Sequence, residues 1–177
     1  VDEGIRFDAR LEAMEDLKLL RDGGLLTAAT SSQMCDGASA VLVANEAGLK
    51  ALAARPLARV RHMSVMGGDP VIMLETPIAA TEKALRRAGM TMSDIDLYEV
   101  NEAFASIPIA WLEATGADID RLNVNGGAIA LGHPLGASGA KLMATLVHAM
   151  QARDVSVGLQ TMCEGGGLAN VTILERA

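Results

Sequence analysis

The stretch Leu122-Asn-Val-Asn125-Gly-Gly-Ala-Ile-Ala-Leu-Gly-His133-Pro-Leu-Gly-Ala-Ser138-Gly139 passes from a short apolar segment through a glycine-rich loop into a helical pattern. Leu122–Val124 reads as a strand, and a long helix opens near Ser138 with Leu142, Leu146, Ala149 and Met150 as its buried stripe. The alternation continues outward in both directions. Upstream, Asp96–Val100 reads as a strand running into Asn101, and Glu102–Thr115 as a helix with Ala103, Ile107, Ala110, Trp111 and Ala114 on one face. Further upstream, Leu57–Val65 reads as a strand and Gly67–Pro70 as a turn. Thr76 followed by Pro77 reads as an N-cap with proline at the first helical position, and Gly89 closes that helix. Downstream, Val155–Met162 and Leu168–Leu174 are strands of a terminal hairpin separated by Cys163-Glu-Gly-Gly-Gly167. Residues 57–177 therefore spell β-α-β-α-β-α-β-β, an α/β domain with a mainly parallel sheet and an antiparallel final pair.

The segment before Pro56 is less regular. Residues 36–44 form a short apolar run that predicts a strand covered on both faces, and Glu46–Ala54 predicts a small helix. Leu11, Met14, Leu17 and Leu20 are spaced three apart, which suits a short amphipathic helix or an irregular segment ended by Gly23-Gly24. Val1 is not an initiator methionine, and Asp2–Arg6 reads as mid-chain surface, which leads us to expect a truncated or processed product.

Composition narrows the function. The chain has 177 residues, 50% of them hydrophobic and only 2% aromatic, so the core is built from aliphatic side chains and methionine. A net charge of −7 argues against nucleic acid, whose binding needs a basic face. No apolar run reaches the roughly 18–20 residues that span a bilayer, and no basic-then-apolar leader opens the chain, so the expectation is a cytoplasmic protein without membrane partners. In that setting a disulfide between Cys35 and Cys163 is poorly motivated, and Cys35 reads as a buried small hydrophobe.

Several chemistries fail on spacing. Gly127-x-x-x-x-Gly132 has P-loop spacing, but His133-Pro134 stands where lysine and a hydroxyl are needed. No G-x-G-x-x-G follows a strand. His62, His133, His148 and the cysteines show no metal-ligand spacing, so no metal is expected. Cysteine–histidine chemistry remains. A thiol suits thioester exchange if a donor or cation lowers its pKa from about 8.5. Cys163 is followed by glycines whose N–H groups can turn inward, and His133 precedes a helix N-terminus that favours developing negative charge. Asn101, at a strand–helix junction, can hold a water or donate to an oxyanion. The plainer readings are a helix N-cap for Asn101, a satisfied loop histidine for His133 and an inert turn cysteine for Cys163. Ligands of such sheets gather at the carboxyl ends of strands, where these three residues would converge.

The segments Asn101-Glu-Ala-Phe-Ala105, Asn123–Gly139 and Cys163–Gly167 closely resemble the thiolases (acetyl-CoA C-acyltransferases), and Thr27–Ser32 with Asp36-Gly-Ala38 resembles the thiolase segment that meets the pantetheine arm of coenzyme A. The resemblance implies that residues 57–177 are the C-terminal half-domain. It makes 36–56 the last strand and helix of the N-terminal half-domain, and 1–35 the end of the loop domain. It implies that His133 activates a nucleophilic cysteine and, with a water held by Asn101, binds the thioester oxygen. Cys163 would be the acid/base, and the Gly165 N–H would serve a second oxyanion hole. Ser32 and Arg6 would touch coenzyme A, with Ala103 and Phe104 lining its channel.

The family's nucleophilic cysteine comes from an N-terminal half with no counterpart here. Ping-pong acyl transfer needs an acyl-carrying residue, so the resemblance implies a chain inactive alone, awaiting that half as partner, with bare apolar surface where it would pack. It further implies acyl-CoA and coenzyme A as substrates with no tightly bound cofactor, a place in fatty acid or lipid metabolism, and a homodimer or homotetramer for the full-length protein. Asn101 and Cys163 separate this pattern from the ketoacyl synthases, which use a histidine pair. A non-catalytic acyl-CoA-binding or lipid-transfer protein derived from thiolase is the alternative from another class. Glu164, where short-chain biosynthetic thiolases often have an apolar residue, hints at a degradative or bulky-substrate branch.

Overall fold

A computed structural model of the chain describes residues 3–177; Val1 and Asp2 of the opening stretch lie outside the described residues. In chain order the elements are α1 (Leu11–Glu15), α2 (Glu46–Leu52), β1 (Ala58–Gly67), α3 (Thr76–Ala88), β2 (Leu97–Val100), α4 (Ser106–Thr115), α5 (Ala128–Leu131), α6 (Ser138–Ala152), β3 (Val157–Glu164) and β4 (Leu168–Arg176).

The strands form one four-stranded sheet in the order β1-β4-β3-β2. Strand β2 pairs with β3 in parallel, whereas β4 runs antiparallel to both β3 and β1. The sheet is therefore mixed rather than mainly parallel. The returning strand of the hairpin inserts between β3 and β1 instead of lying at the rim, which makes two of the three ladders antiparallel. The exposed edge β1 carries a register shift between Val60 and His62 and is flanked by Arg59 and Arg61, both paired to Glu175 of β4. A bulge and charge at an edge discourage pairing with another chain.

Alternation along β2 sends its side chains to opposite faces. Tyr98 and Val100 join Ala80, Ala84 and Leu85 of α3 and Ile107 and Trp111 of α4 in one core cluster. Leu97 joins Leu146, Ala149 and Met150 of α6 in the other. The result is α3 and α4 on one face and α6 on the other, three layers around one sheet. Trp111, fully buried, stacks tilted on Tyr98 with ring centroids 5.4 Å apart and donates its Nε1–H to Thr81 Oγ1 at 2.9 Å.

Several predicted elements come out differently. Residues 36–44 form no strand, and Leu42 and Val43 are each 77% exposed. A strand exists only where a neighbour completes its ladder, and residues 36–44 pair with neither edge of the sheet, β1 or β2. The helix after Asn101 begins at Ser106, not Glu102, because backbone groups of residues 103–105 are engaged by an upstream segment: Ser32 N–H donates to Ala103 O at 3.1 Å, Ala105 N–H donates to Thr30 O at 2.9 Å, and Ser31 bridges Phe104. Thr76 is the first residue of α3 rather than its cap; its hydroxyl instead donates to Met73 O at 3.2 Å and Gly167 O at 2.9 Å. Within 8–21 only Leu11–Glu15 is helical, and none of its residues is buried.

Leu122–Val124 contributes only a single bridge, Leu122 to Tyr98. The Asn123 side chain replaces the missing ladder. Its Oδ1 accepts from Val100 N–H and its Nδ2 donates to Val100 O, both at 2.9 Å, while its own N–H donates to Tyr98 O at 2.8 Å. Asn123 adopts φ 45°, a region that asparagine tolerates better than most residues. Replacing Asn123 by Ala leaves a buried N–H and a buried C=O without partners. We expect a loss of about 1–3 kcal/mol for each group, read as a lower urea midpoint at unchanged slope. Unchanged stability would show that the amide does not close the sheet edge.

Candidate active site

Asn101 follows β2, and its N–H donates to Thr161 O of β3 at 3.1 Å, extending the parallel ladder by one rung. Cys163 lies two residues farther along β3, buried, opposite Ala169 of β4. His133 arrives from the other side, on the loop between α5 and α6. Its N–H donates to Gln33 O at 2.7 Å, and its imidazole Nε2 lies 3.5 Å from Asn101 Nδ2. The predicted convergence of Asn101 and His133 is thus direct, and β3 brings Cys163 to the same end of the sheet.

The loop holds this position through a carboxylate. Glu102 accepts from Asn123 Nδ2 at 2.9 Å and from the Ile129 N–H at 3.0 Å, which ties the end of β2 to the glycine loop. A Cβ on Gly127 would collide with the Glu102 carboxylate, so this glycine is required by close approach. Gly132 is required twice over: it adopts φ 83°, and a Cβ there would lie 2.6 Å from Cys35 Sγ.

The tautomer of His133 follows from its other nitrogen. Ser138 donates its hydroxyl to Pro134 O at 3.1 Å, so its oxygen is free to accept from His133 Nδ1–H at 2.6 Å. That assignment puts the proton on Nδ1 and the lone pair on Nε2, facing Asn101. Burial, and then the nearby positive charge of Lys141, hold the imidazole below its ordinary value of 6.5. Lys141 is itself anchored by donating to Gly132 O at 2.8 Å. His133 is therefore a neutral base at pH 7. Asn101, 1% exposed, leaves its Oδ1 without a partner, an acceptor at the mouth of the imidazole pair that suits a water or a donor from a ligand.

Cys163 departs from the expected activation. Burial pushes its thiol above the ordinary value, opposed by its backbone, and the Glu164 carboxylate beside it adds to the rise. Glu164 is fixed by accepting from Asn170 Nδ2 at 2.6 Å. Among the described residues no cation acts on the thiol to lower it. Cys163 stands as a protonated acid rather than a thiolate. The plainer readings do not survive for Asn101, which caps no helix since α4 starts at Ser106. Cys163 is not in a turn, because it lies within β3.

The remaining predicted residues fall around this centre. Ser32 donates both its N–H and its hydroxyl to Ala103 O at 3.1 Å, and Ser31 bridges Phe104, so Ser32, Ala103 and Phe104 are brought together. Arg6 is exposed in the irregular stretch ahead of α1, its carbonyl accepting from Ala9 N–H at 3.5 Å. Gly165 is exposed with open space around it; the left-handed residues of that turn are Gly166 and Gly167. Cys35 is exposed, not buried. No group of His, Cys, Asp and Glu able to hold a metal occurs among the described residues. The sequence reading passed over Ser138, Lys141, Glu102 and Asn123 as functional residues, although all four lie in or beside the quoted motifs. The signal for Ser138 was its place five residues after His133, at the helix start.

Residues 54–176 match the thiolase C-terminal domain family. The chain is 54% identical over 176 residues to a steroid 3-ketoacyl-CoA thiolase of Mycobacterium tuberculosis, covering 99% of this chain and 43% of that protein. It superposes on the crystal structure of an acetyl-CoA acetyltransferase of Bacillus anthracis with TM-score 0.94 and 35% identity, over 99% of this chain and 45% of that one. It superposes equally on human mitochondrial 3-ketoacyl-CoA thiolase in complex with CoA, with TM-score 0.91 and 40% identity, over all of this chain and 45% of that one. The chain thus spans under half the length of the curated relatives it matches.

The depressed imidazole has a measurable consequence. The unfolded chain takes up a proton at 6.5 that the folded chain refuses, so stability falls as pH drops below 6.5 toward the folded value. Nitrogen-15 NMR should show His133 neutral at pH 7 with Nδ1 protonated. Lys141→Met should move its titration upward, toward 6.5, by removing the repelling charge. A doubly protonated ring at pH 7 would contradict the assignment.

Proposed function

The chain belongs to the thiolase family, carrying its C-terminal domain, and from that premise we propose that it supplies the proton-handling half of an acyl-transfer site acting on 3-ketoacyl-CoA and coenzyme A. One observation carries this reading: His133 Nε2, unprotonated and 3.5 Å from Asn101 Nδ2, beside the unpartnered Asn101 Oδ1, at the strand end where Cys163 waits as a thiol.

The acyl carrier is a cysteine outside these 177 residues. Its thiol gives a proton to His133 Nε2, and the resulting thiolate attacks the 3-keto carbon. The bond between carbons 2 and 3 then breaks, leaving an acyl-enzyme thioester and the carbanion of acetyl-CoA. Cys163 donates its proton to that carbanion, and acetyl-CoA departs. In the second half, coenzyme A returns a proton to the Cys163 thiolate, its sulfur attacks the thioester, and the carrier cysteine leaves to recover its proton from His133. A water on Asn101 Oδ1, with the protonated His133, faces the developing oxyanion, and the Gly165 N–H serves a second one. Ser32, Ala103 and Phe104, held together by the strap over residues 30–33, border the coenzyme channel, with Arg6 near its outer end. Support for a coenzyme A site comes from the human mitochondrial relative, whose structure contains CoA. Condensation of two acyl-CoA molecules is the same path reversed.

The test is thiolysis of acetoacetyl-CoA and of a longer 3-ketoacyl-CoA, by the chain alone and with a separately produced thiolase N-terminal half. We expect no turnover alone and recovery on mixing. In the reconstituted enzyme Cys163→Ala and His133→Ala should each lower kcat by about 10²–10⁴-fold. Turnover by the chain alone would make Cys35 or Cys163 the carrier. Binding of acyl-CoA without recovery on mixing would favour a non-catalytic carrier protein.

A further inference from the structure

The face of the sheet beneath α6 holds polar groups that the proton transfers above do not use. Glu99 of β2 is 1% exposed, and both of its carboxyl oxygens lack a hydrogen-bond partner. Alternation places it on the same side as Leu97, which packs under α6. Its register partner on β3 is Gln160, 3% exposed, whose Nε2 donates to Gly139 O in the first turn of α6 at 3.1 Å and whose Oε1 is also unpartnered. Two neighbouring strands thus present three sealed, unpartnered acceptor atoms, while the donor nitrogen of Gln160 is already engaged by Gly139 O. An ionised, unpaired carboxylate in such a place is untenable, and acceptors facing acceptors repel.

We infer that Glu99, Gln160 and the first turn of α6 enclose an internal site that binds one water and one proton, with Glu99 held as the neutral carboxylic acid. One water satisfies all three atoms. The carboxyl O–H donates to the water, which returns one hydrogen to the carboxyl C=O and gives the other to Gln160 Oε1. Three hydrogen bonds is the usual complement of a buried water. The charged groups around the site agree. Glu102, just beyond β2, and Lys141, on α6, are the ones that act on Glu99, and β3 offers only the neutral Gln160. Burial first, then Glu102, raise the carboxyl to about 8, and Lys141 only partly offsets them.

The site has a positioning role, which rests on the reading of His133 as the base. With Glu99 neutral, Lys141 has no buried anion to pair with and stays on Gly132 O, the carbonyl just before His133. An ionised Glu99 would draw it away. Glu99 is a positioning residue and touches no reacting atom.

Infrared spectroscopy of the folded chain tests the proton directly and needs no catalytic turnover. At pH 7 the difference between wild type and Glu99→Gln should contain one protonated-carboxyl C=O band, and in the wild type that band should disappear on titration through about 8. Absence of the band in folded wild type, or its persistence in Glu99→Gln, would overturn the inference. If Glu99→Gln does not fold, the wild-type titration still decides. In Gln160→Met the band should shift without being lost; a band that stays in place refutes the shared water. None of these outcomes depends on thiolase activity, so a failed reconstitution leaves them intact. The positioning role is read by nitrogen-15 NMR: His133 should titrate unchanged in Glu99→Gln, which keeps Glu99's neutral charge, and should shift as wild-type Glu99 ionises. No shift across that ionisation refutes the link.

Discussion

The site is tied together by one half-buried carboxylate, that of Glu102. It takes a hydrogen bond from Asn123 and another from the Ile129 N–H, and so joins the end of β2 to the glycine loop. Asn123 in turn satisfies both polar groups of Val100. Asn101 lies between Val100 and Glu102 in the chain, and the loop carrying His133 starts from Asn123. Without the carboxylate the glycine loop loses its tie to the end of β2, and only the contacts of His133 to Gln33 and Ser138 would hold the imidazole. The absence of a side chain at Gly127 is the steric condition for this clamp, which explains why a loop so rich in glycine is nevertheless rigid.

Burial then sets the chemistry with little help from charges. The same desolvation that keeps His133 free of a second proton keeps a proton on Cys163, because one group is cationic when charged and the other anionic. A site that loses water therefore becomes a neutral base beside a neutral acid. Lys141 and Glu164 each push in the same direction as burial. The chain's overall charge of −7 says nothing of this local neutrality.

The glycine-rich motifs, the helix at Ser138, the terminal hairpin and the helix stop at Gly89 were legible from the sequence, because turn chemistry and apolar period are local properties. What was not legible depended on partners distant in the chain. Residues 36–44 have the composition of a buried strand, yet composition cannot say whether a neighbouring strand exists. Residues 102–105 have helical spacing, yet hydrogen bonds to Thr30 and Ser32 occupy their backbone groups and delay the helix to Ser106. The place of β4 between β1 and β3 is a topological choice that no local pattern encodes. At the site, the residue types were readable and the direction of the thiol's shift was not. Glycines suggested donors for a thiolate, but the strand position of Cys163 buries it instead.

In the proposed reaction, that shift bears on which cysteine would carry the acyl group. A carrier must attack as a thiolate, and a thiol pushed above its ordinary value supplies little of it near neutrality. Cys163 is thus suited to giving a proton and ill suited to holding an acyl group. Cys35, the other cysteine of the sequence, is exposed and packs against Gly132, on the backbone side of the loop rather than at the Nε2 lone pair. Among the described residues the hydrogen bond of His133 Nε2 is to Asn101, not to either cysteine. Apolar residues lie bare where the proposed second half would pack: Leu42 and Val43 in the unpaired stretch, and Met63 and Val65 on β1, 67% and 66% exposed. Register sets Met63 opposite Thr172 and Val65 opposite Asn170. Thr172 is in turn the partner of Gln160, which hydrogen-bonds to α6, so these two side chains lie on the α6 side of the sheet. A second layer packed there would cover the apolar face and could bring a thiol to the imidazole in the same step. Completing the core and completing the active site would then be one event.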